Sequence, residues 1–488
     1  MAMFTNDARQ FKFDVLTEIC AQCFNGQLDE DSVYAKTNGM VSLSGQRYRC
    51  CVYKEREILR QRARLSMGKM ANEAEEYNPK QIVQVIDAAC DGCTIMKIRV
   101  TDNCRKCMSK ACQSACHFGA MSMGTDKAQI DYSKCKECGA CARACPYNAI
   151  VVTERPCYAH CPVQAISWDE NNIAVIDKEK CINCGQCELS CPFGAVEDLS
   201  FVVPVINLLK SDTPVYAIVA PSIQGQFEGA DLSQIKKGIE QLGFAECLEV
   251  ASGADAVAYY EAKELQEYMK EGKPMTTSCC TAFVNMQKLH FPEVFKENKS
   301  SLTTPMMALA RKLKAEHPDY PVVFIGPCLA KKQEAMQDDS AVDYVLTYEE
   351  LLAMLLAKEI VVANLDKEDI SKDVSNYGRN FAYSGGVANA VLEAVKEMDG
   401  EIPEYVLAGN AEECMLQLKM IKNGKFTANM LEGMCCAGGC LGGPANLVTF
   451  NKAKVSMDKQ NKENAETTIT AALDKNSYET VNMEVNKQ

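Results

Sequence analysis

The chain is poor in histidine, with 4 in 488 residues. So few imidazoles argue against zinc–histidine and copper centres, which draw on that side chain. It also lacks positive charge in excess. The formal net charge is −13, from 52 Lys and Arg against 65 Asp and Glu, and nonspecific nucleic-acid binding is not expected. No apolar run reaches the about 18–20 residues that span a bilayer. Stretches 201–209 and 351–365 come nearest, and Pro, Lys and Glu interrupt them. The opening residues, Met-Ala-Met-Phe-Thr-Asn-Asp, place no basic segment ahead of an apolar one. No secretory signal is expected, and the chain reads as cytoplasmic and without a membrane. No Gly-x-Gly-x-x-Gly follows a strand and no Walker motif occurs, so nucleotide binding is not indicated.

What the chain has in quantity is cysteine: 28 residues. With 47% hydrophobic and 24% charged residues, it can bury sizeable cores without disulfide staples. At roughly 150 residues per domain, the length implies two to four domains. Thiols in a cytosolic chain of this size point to metal ligation or catalysis. Cys20, Cys23, Cys50 and Cys51 lie near the start, sixteen more fall between Cys90 and Cys191, and the last eight are spread from Cys247 to Cys440.

The texture changes near residue 200. Upstream are short hydrophobic stretches between Cys loops. Downstream, strand-like runs at Val215–Pro221, Pro321–Pro327 and Tyr344–Thr347 alternate with helical runs at Ser233–Gly243, Asp255–Gly272, Thr304–His317, Tyr348–Glu359 and Ala388–Glu397. That alternation predicts α/β layers with mainly parallel sheets, and sites in such sheets form beyond the carboxyl ends of the strands. The expected organisation is an N-terminal Cys-containing region (1–85), an α+β ferredoxin-like region (86–200), an α/β domain (201–450) and a polar tail (451–488). The tail is expected to hold one helix near 465–475 and then fray. Residues Lys54–Leu65 form a helix with Lys54, Arg60, Arg62 and Arg64 on a basic face. That face reads as solvated or as a docking patch for an acidic electron-transfer partner.

Two Cys runs carry strong spacing: Cys135-x2-Cys138-x2-Cys141-x3-Cys145-Pro146 and Cys181-x2-Cys184-x2-Cys187-x3-Cys191-Pro192. Three thiolates of a tight loop wrap three corners of a 4Fe–4S cubane, and the fourth Cys reaches the other cluster of a pair. Cys104-x2-Cys107-x4-Cys112-x3-Cys116 is a third run with one stretched gap. Cys157-x3-Cys161-Pro162 is half a run, with Val151 and Glu154 at its leading positions. Three complete three-Cys cores thus accompany four fourth-type Cys (Cys116, Cys145, Cys161, Cys191), and one is left over. With Cys157 and the pair Cys90-Asp-Gly-Cys93, three to four 4Fe–4S clusters are expected. Cys20, Cys23, Cys50 and Cys51 form either a further iron–sulfur or zinc site or free thiols in a packed region. Several clusters in one segment imply electron transfer from a surface entry point to a catalytic centre.

Three Cys peptides stand out after residue 200: Thr277-Ser-Cys-Cys-Thr-Ala-Phe283, Ile325-Gly-Pro-Cys-Leu-Ala-Lys-Lys-Gln-Glu334 and Glu432-Gly-Met-Cys-Cys-Ala-Gly-Gly-Cys-Leu-Gly-Gly-Pro444. Glycines allow the backbone of the third to approach a bulky inorganic group, and Lys331 suits an anionic cofactor. In order and in all their Cys, these peptides resemble the three signature motifs of FeFe-hydrogenases. The resemblance covers about residues 200–450, and the ferredoxin-like segment before it is also typical of that family. It implies a two-lobed catalytic domain with an H-cluster: a 4Fe–4S cubane joined by one thiolate to a di-iron unit with CO, cyanide and an azadithiolate. The implied reaction is reversible reduction of protons to dihydrogen. The implied partners are a ferredoxin or similar electron carrier and di-iron maturation proteins, in an anaerobic setting.

By the same resemblance, Cys280, Cys328, Cys436 and Cys440 match the cubane ligands, Cys440 being the bridging thiolate. Cys279 matches the proton-relaying thiol. Lys331 matches a cyanide-contacting Lys, held by Glu334. Ala220-Pro221-Ser222 resembles the strand end that contacts the other cyanide, and Met434 a Met beside the di-iron unit. Glu261 and Glu264 match the carboxylates of the proton path, with Ser300 or Ser301 as relay; an exposed helix face is the plainer reading of the two Glu. Thr281, Phe283, Gly326, Met306 and the extra Cys435 depart from the better-known pattern and resemble the group B branch. A hydrogen sensor and a non-catalytic iron–sulfur scaffold protein are the alternatives.

Overall fold

The computed structural model describes residues 4, 6–40, 51–78, 81–93, 97–369, 372–463 and 467–485. Beyond residue 200 the chain builds two parallel sheets. The first has the order Glu246–Glu249, Tyr216–Val219, Val322–Ile325, Tyr344–Leu346. The second has the order Met275–Thr276, Met430–Gly433, Tyr405–Ala408. The inner strands Tyr216–Val219, Val322–Ile325 and Met430–Gly433 are buried almost throughout, as parallel strands covered on both faces must be, while Tyr405–Ala408 lies largely exposed at the edge of its sheet. Tyr216–Val219 pairs with Val322–Ile325 in register from Tyr216 opposite Val322 to Val219 opposite Ile325. Both therefore release their loops at the same level. The helices Leu232–Gln241, Ala251–Lys270, Pro305–Glu316, Tyr348–Ala357 and Gly386–Glu397 cover the sheets, close to the expected runs. Helix Leu232–Gln241 begins with an Asp231/Gln234 capping box and helix Tyr348–Ala357 with a Thr347/Glu350 one. Each box satisfies orphan amides of the first turn reciprocally.

Residues 83–198 hold two ferredoxin-like units of like plan. In one, Ile98–Val100 pairs antiparallel with Ile150–Val152, beside the hairpin Met121–Met123/Ala128–Ile130. In the other, Val83–Val85 pairs antiparallel with Val196–Asp198, beside the hairpin Ile166–Trp168/Ala174–Ile176. Every strand is three residues long and the helices between them have four or five.

Charges buried between segments join the parts. Asp198, at a ferredoxin strand end, takes Lys12 at 2.6 Å and Lys332 at 2.6 Å, and Lys332 also meets Glu350 at 2.9 Å. Lys12 comes from helix Asp7–Phe24, Lys332 from the helix after Val322–Ile325, and Glu350 from helix Tyr348–Ala357. The two acids hold the Lys332 ammonium above its ordinary range against the opposing effect of burial. Arg379 forms a second buried pair, with Nε 2.8 Å from Glu249.

Two expectations are corrected. The basic face of helix Val52–Ser66 is largely consumed inside the fold. Arg62 is buried, lies 2.7 Å from Glu197 and donates to the Gly194 carbonyl, while Arg60 and Arg64 pair with Glu73. Arg62 thereby clamps the helix to the ferredoxin region, and Arg60 and Arg64 are neutralised by Glu73 nearer the surface, so the face is not a free docking patch. The tail does not fray after one helix. Phe450–Glu463 and Ile469–Asn476 are both helical. Ala453, Met457, Ile469 and Tyr478 are fully buried, and the Val485 amide bonds the Ser301 carbonyl. Apolar residues every third or fourth position anchor helices whose remaining faces are charged.

Removing Lys332 leaves Asp198 and Glu350 facing each other in the interior. Lys332→Ala is expected to destabilise the chain by about 3–5 kcal/mol in chemical unfolding. A change below about 1 kcal/mol would show that this junction does not hold the parts together. Burial also lifts the Asp255 carboxyl to about 7 despite its bonds from Ser375. The native state then keeps a proton that the unfolded chain releases, so stability falls as pH rises from the ordinary Asp range to about 7. Asp255→Asn is expected to flatten that part of a thermal-midpoint-against-pH curve.

Candidate active site

Three strand ends of the two sheets deliver the Cys peptides. Met275–Thr276 leads to Cys279 and to Cys280, which caps helix Thr281–His290. Val322–Ile325 leads to Cys328, which caps helix Leu329–Ala335. Met430–Gly433 leads to the loop with Cys436 and Cys440. That loop turns through Gly439 at φ +84, where an added Cβ would come within 2.6 Å of the Tyr383 backbone. Only glycine fits there. Cys280, Cys328, Cys436 and Cys440 are brought together: Cys436 and Cys440 each feel the charge of Cys328 and Cys280. Cys440 is pushed up to about 12 and Cys328 to about 11, both chiefly by burial. Four thiols sharing one place repel as thiolates, and a cationic iron–sulfur core resolves that repulsion. The donor set fits a cubane.

The surrounding groups suit an anionic guest. Lys331 is buried with its Nζ 2.7 Å from Glu334. Glu334 also accepts from Thr304 Oγ1 at 2.6 Å and from Thr281 Oγ1. Lys331 and these hydroxyls hold its carboxyl below the ordinary range despite burial. Thr281, one of the departures from the better-known motif, is thereby a support for the Lys331–Glu334 pair. Ala220, Pro221 and Ser222 follow strand Tyr216–Val219, and Ser222 Oγ lies 2.7 Å from the Tyr348 hydroxyl. Gln224 is buried, with both amide atoms unpartnered among the described residues. Met434 packs in one cluster with Cys279 and Phe381.

A polar line leads away from Cys279. Glu261 is fully buried, and its Oε1 accepts from the Ser278 amide at 2.9 Å and the Ser278 hydroxyl at 2.8 Å. Its Oε2 has no hydrogen-bond partner among the described residues. Burial raises this carboxyl to about 7. One helical turn on, the half-buried Glu264 accepts from Ser300 Oγ at 2.6 Å and from the Ser301 amide at 2.8 Å. The hydroxyl at this carboxylate is therefore that of Ser300. Burial, with Glu261 nearby, holds the Cys279 thiol well above its ordinary value.

Sequence reasoning missed four groups. Tyr348 is fully buried and close enough to Cys440 for the thiolate to raise its hydroxyl further. Its position after the Thr347-x-x-Glu350 box was visible, but its contact across the sheet was not. Gln224 carried no motif. Glu432 bonds the Gly385 and Ala388 amides and is lifted by burial to about 7. Cys435 lies beside Cys280, and its thiol lowers the Cys280 thiol to about 6.

The sixteen relay cysteines fall into four quartets. Cys104, Cys107, Cys112 and Cys145 line one small cavity, Cys116, Cys135, Cys138 and Cys141 a second, and Cys90, Cys93, Cys157 and Cys191 a third. Cys161 shares its surroundings with Cys181, Cys184 and Cys187. The exchange of each fourth Cys between neighbouring sets is what paired cubanes need. The last quartet borders the active site: Cys184 acts on Cys436, and a Cβ on Gly185 would lie 2.8 Å from Pro444. Of the N-terminal thiols, Cys20 and Cys23 sit in an apolar core, Cys51 caps helix Val52–Ser66, and Cys50 lies outside the described residues.

A fold with ferredoxin-like units and a half-buried four-thiol site at strand ends defines an iron–sulfur protein. Comparison with known proteins narrows the class. Residues 213–444 match the family model described as iron only hydrogenase large subunit, C-terminal domain. Residues 128–151 match a 4Fe-4S binding domain and residues 155–195 a 4Fe-4S dicluster domain. Iron hydrogenase 1 of Clostridium pasteurianum is 29% identical over 68% of this chain and 61% of its own length. The periplasmic Fe hydrogenase large subunit of Nitratidesulfovibrio vulgaris is 27% identical over 64% of this chain and 85% of its own length. The chain thus spans less than two thirds of the Clostridium protein. A solved FeFe-hydrogenase of Chlamydomonas reinhardtii superposes with a TM-score of 0.48 at 19% identity, covering 58% of this chain and 98% of that one. The chain belongs to the FeFe-hydrogenase family. No helix among the described residues is long and apolar enough to cross a membrane.

A thiol donating to a ligand sulfur stabilises the electron-rich form of a cluster. Cys435→Ala is expected to leave the iron content unchanged and to lower the midpoint potential of the cubane at Cys280, read by redox-titrated electron paramagnetic resonance. An unchanged potential would remove Cys435 from this role.

Proposed function

We propose that the chain is a hydrogenase that interconverts protons and dihydrogen, of the group B branch, and that a ferredoxin-like carrier exchanges electrons with it. The observation that carries the reading is Cys279. Its thiol lies beside the four-Cys site on one side and beside Glu261 on the other. Cys280, Cys328, Cys436 and Cys440 would hold the H-cluster, with Cys440 as the bridging thiolate. Lys331, Ser222, Ala220, Pro221 and Met434 would surround its di-iron unit. When bound, that cofactor supplies the proton and electron chemistry, as cofactors carry the hard steps of such reactions. Its di-iron unit comes from maturation proteins.

The chain's own part is to position and to move protons. Lys331 is fixed by Glu334, which Thr281 and Thr304 hold in turn, so a single cation faces the site in one orientation. Cys279 Sγ passes a proton toward Glu261 Oε2, whose carboxyl, at about 7, can both take and release it near neutral pH. Ser300 Oγ and Glu264 continue the line to the part-exposed face of helix Ala251–Lys270. Thr281, Phe283, Gly326, Met306 and Cys435, which depart from the better-known motifs, support the group B reading. On the unit of residues 97–154, Arg105, Lys106, Lys110, Lys134 and Lys136 are exposed beside the cluster loops, which favours an acidic carrier there. A cytoplasmic location is part of the same reading.

Cys279→Ala in the matured protein is expected to keep its iron and lose most dihydrogen turnover with a reduced mediator, with Glu261→Gln showing a similar loss. Near-full turnover in Cys279→Ala would overturn the assigned relay. No turnover in the parent, with the cofactor loaded, would favour a sensor or scaffold.

A further inference from the structure

We infer that Cys90, Cys93, Cys157 and Cys191 hold a 4Fe–4S cluster of their own, in a ligand run that a second ferredoxin unit has split in two. The inference rests on the iron–sulfur reading of residues 83–198 and does not depend on hydrogen turnover.

The split run is visible in the sequence. Cys90-x2-Cys93 and Cys157-x3-Cys161-Pro162 each look incomplete. Without residues 94–154, however, Cys93 is followed by Arg155, Pro156 and Cys157. The joined run is then Cys90-x2-Cys93-x2-Cys157-x3-Cys161-Pro162, with the spacing of the two runs at Cys135 and Cys181. The interrupting residues are a unit in their own right. Strand Ile98–Val100 pairs with Ile150–Val152, the Thr153 amide donates to the Lys97 carbonyl at 2.7 Å, and Lys97 pairs with Glu154. The two ends of the unit therefore meet, as they must if it sits between neighbouring residues of a host loop.

The two units also repeat a hydrogen bond. Cys104, the first ligand of the inserted unit, accepts from the Ala128 amide at 3.4 Å; Ala128 opens the second strand of that unit's hairpin. Cys90 accepts from the Ala174 amide at 3.4 Å, and Ala174 opens the second strand of the host hairpin. The fourth-position thiols repeat in the same way: Cys116, Cys145, Cys161 and Cys191 accept from Ala120, Ala149, Ala165 and Ala195 at 3.2–3.4 Å. Cys90 thus occupies in the host the place that Cys104 occupies in the insert.

The cavity itself has a lining that suits a cluster. Cys90, Cys93, Cys157 and Cys191 line it together with Arg155. Arg155 is buried; its Nη1 donates to the Asn172 carbonyl at 2.8 Å, while its Nη2 has no acceptor among the described residues. A buried cation with an unused donor at the wall of a four-thiol cavity suits a cluster whose sulfides accept and whose charge is negative. The cluster's place follows from Cys191. The run that supplies it gives Cys181, Cys184 and Cys187 to the quartet bordering the active site. The inferred cluster is therefore the step between the inserted unit and that quartet.

The test uses the full chain produced without maturation proteins, with iron and sulfide counted per chain. Five cubanes give about 20 iron, four of them in the ferredoxin units and one in the catalytic domain. Cys93→Ala is expected to lose about 4 iron and 4 sulfide. Cys93→Ala/Cys157→Ala is expected to lose no more than the single variant, because both ligands belong to one cluster. Cys93→Ala/Cys107→Ala is expected to lose twice as much. Unchanged iron in Cys93→Ala, or additive loss in the 93/157 pair, overturns the inference. A parent count of about 16 iron in which Cys328→Ala still removes about 4 overturns it without any need for the Cys93 variants to fold. A missing catalytic-domain cubane is read separately, as no iron loss in Cys328→Ala, and bears on the hydrogenase reading instead.

Discussion

An iron–sulfur cube must be met by four thiolates at once, and much of this chain is arranged around that requirement. The ferredoxin units show it most plainly. Their strands are three residues long, and the apolar cluster of the inserted unit contains only Ile98, Met121, Ala128, Ile150 and two cysteines, Cys112 and Cys141, among its buried members. A core that small cannot offset the chain entropy of so many loops. Metal–thiolate bonds make up the difference, since ligand binding to the folded state alone is folding free energy. The exchange of fourth cysteines also ties neighbouring cages at short distance.

The domain beyond residue 200 meets the same requirement differently. Its sheets and helices form large apolar cores, so the thiols are free to be placed for chemistry. Parallel strands of the two sheets bring Cys279, Cys280, Cys328, Cys436 and Cys440 together beyond their carboxyl ends. The site then divides its work by environment. Lys331 and two threonines keep Glu334 ionised as an anchor, while burial, aided by the Glu264 charge, lifts Glu261 into the range where it can exchange a proton. Two carboxyls of one type thus serve as a fixed charge and as a titrating group.

Local pattern was legible wherever the chemistry lay within one peptide. The three Cys peptides, the capped helices and the parallel strands could be read directly, because spacing and periodicity are properties of short segments. The family match of residues 213–444 agrees with the resemblance drawn from those peptides. Contacts made across the fold were not legible. Tyr348 meets Ser222 from another strand end, and Arg62 is buried only because Glu197 and the Gly194 carbonyl come to it. The tail helix Phe450–Glu463 was hidden by its charged faces, since Ala453 and Met457 are few among lysines. Cys90 and Cys93 looked like a stray pair because their partners stand beyond a whole inserted unit.

The central claim is that the four-Cys site and its surroundings are built to hold a di-iron cofactor and turn over hydrogen. Infrared spectroscopy of the protein coexpressed with di-iron maturation factors tests it most directly. The account predicts bands of iron-bound CO and cyanide that respond to dihydrogen. A protein that carries its cubanes and shows no such bands would contradict it.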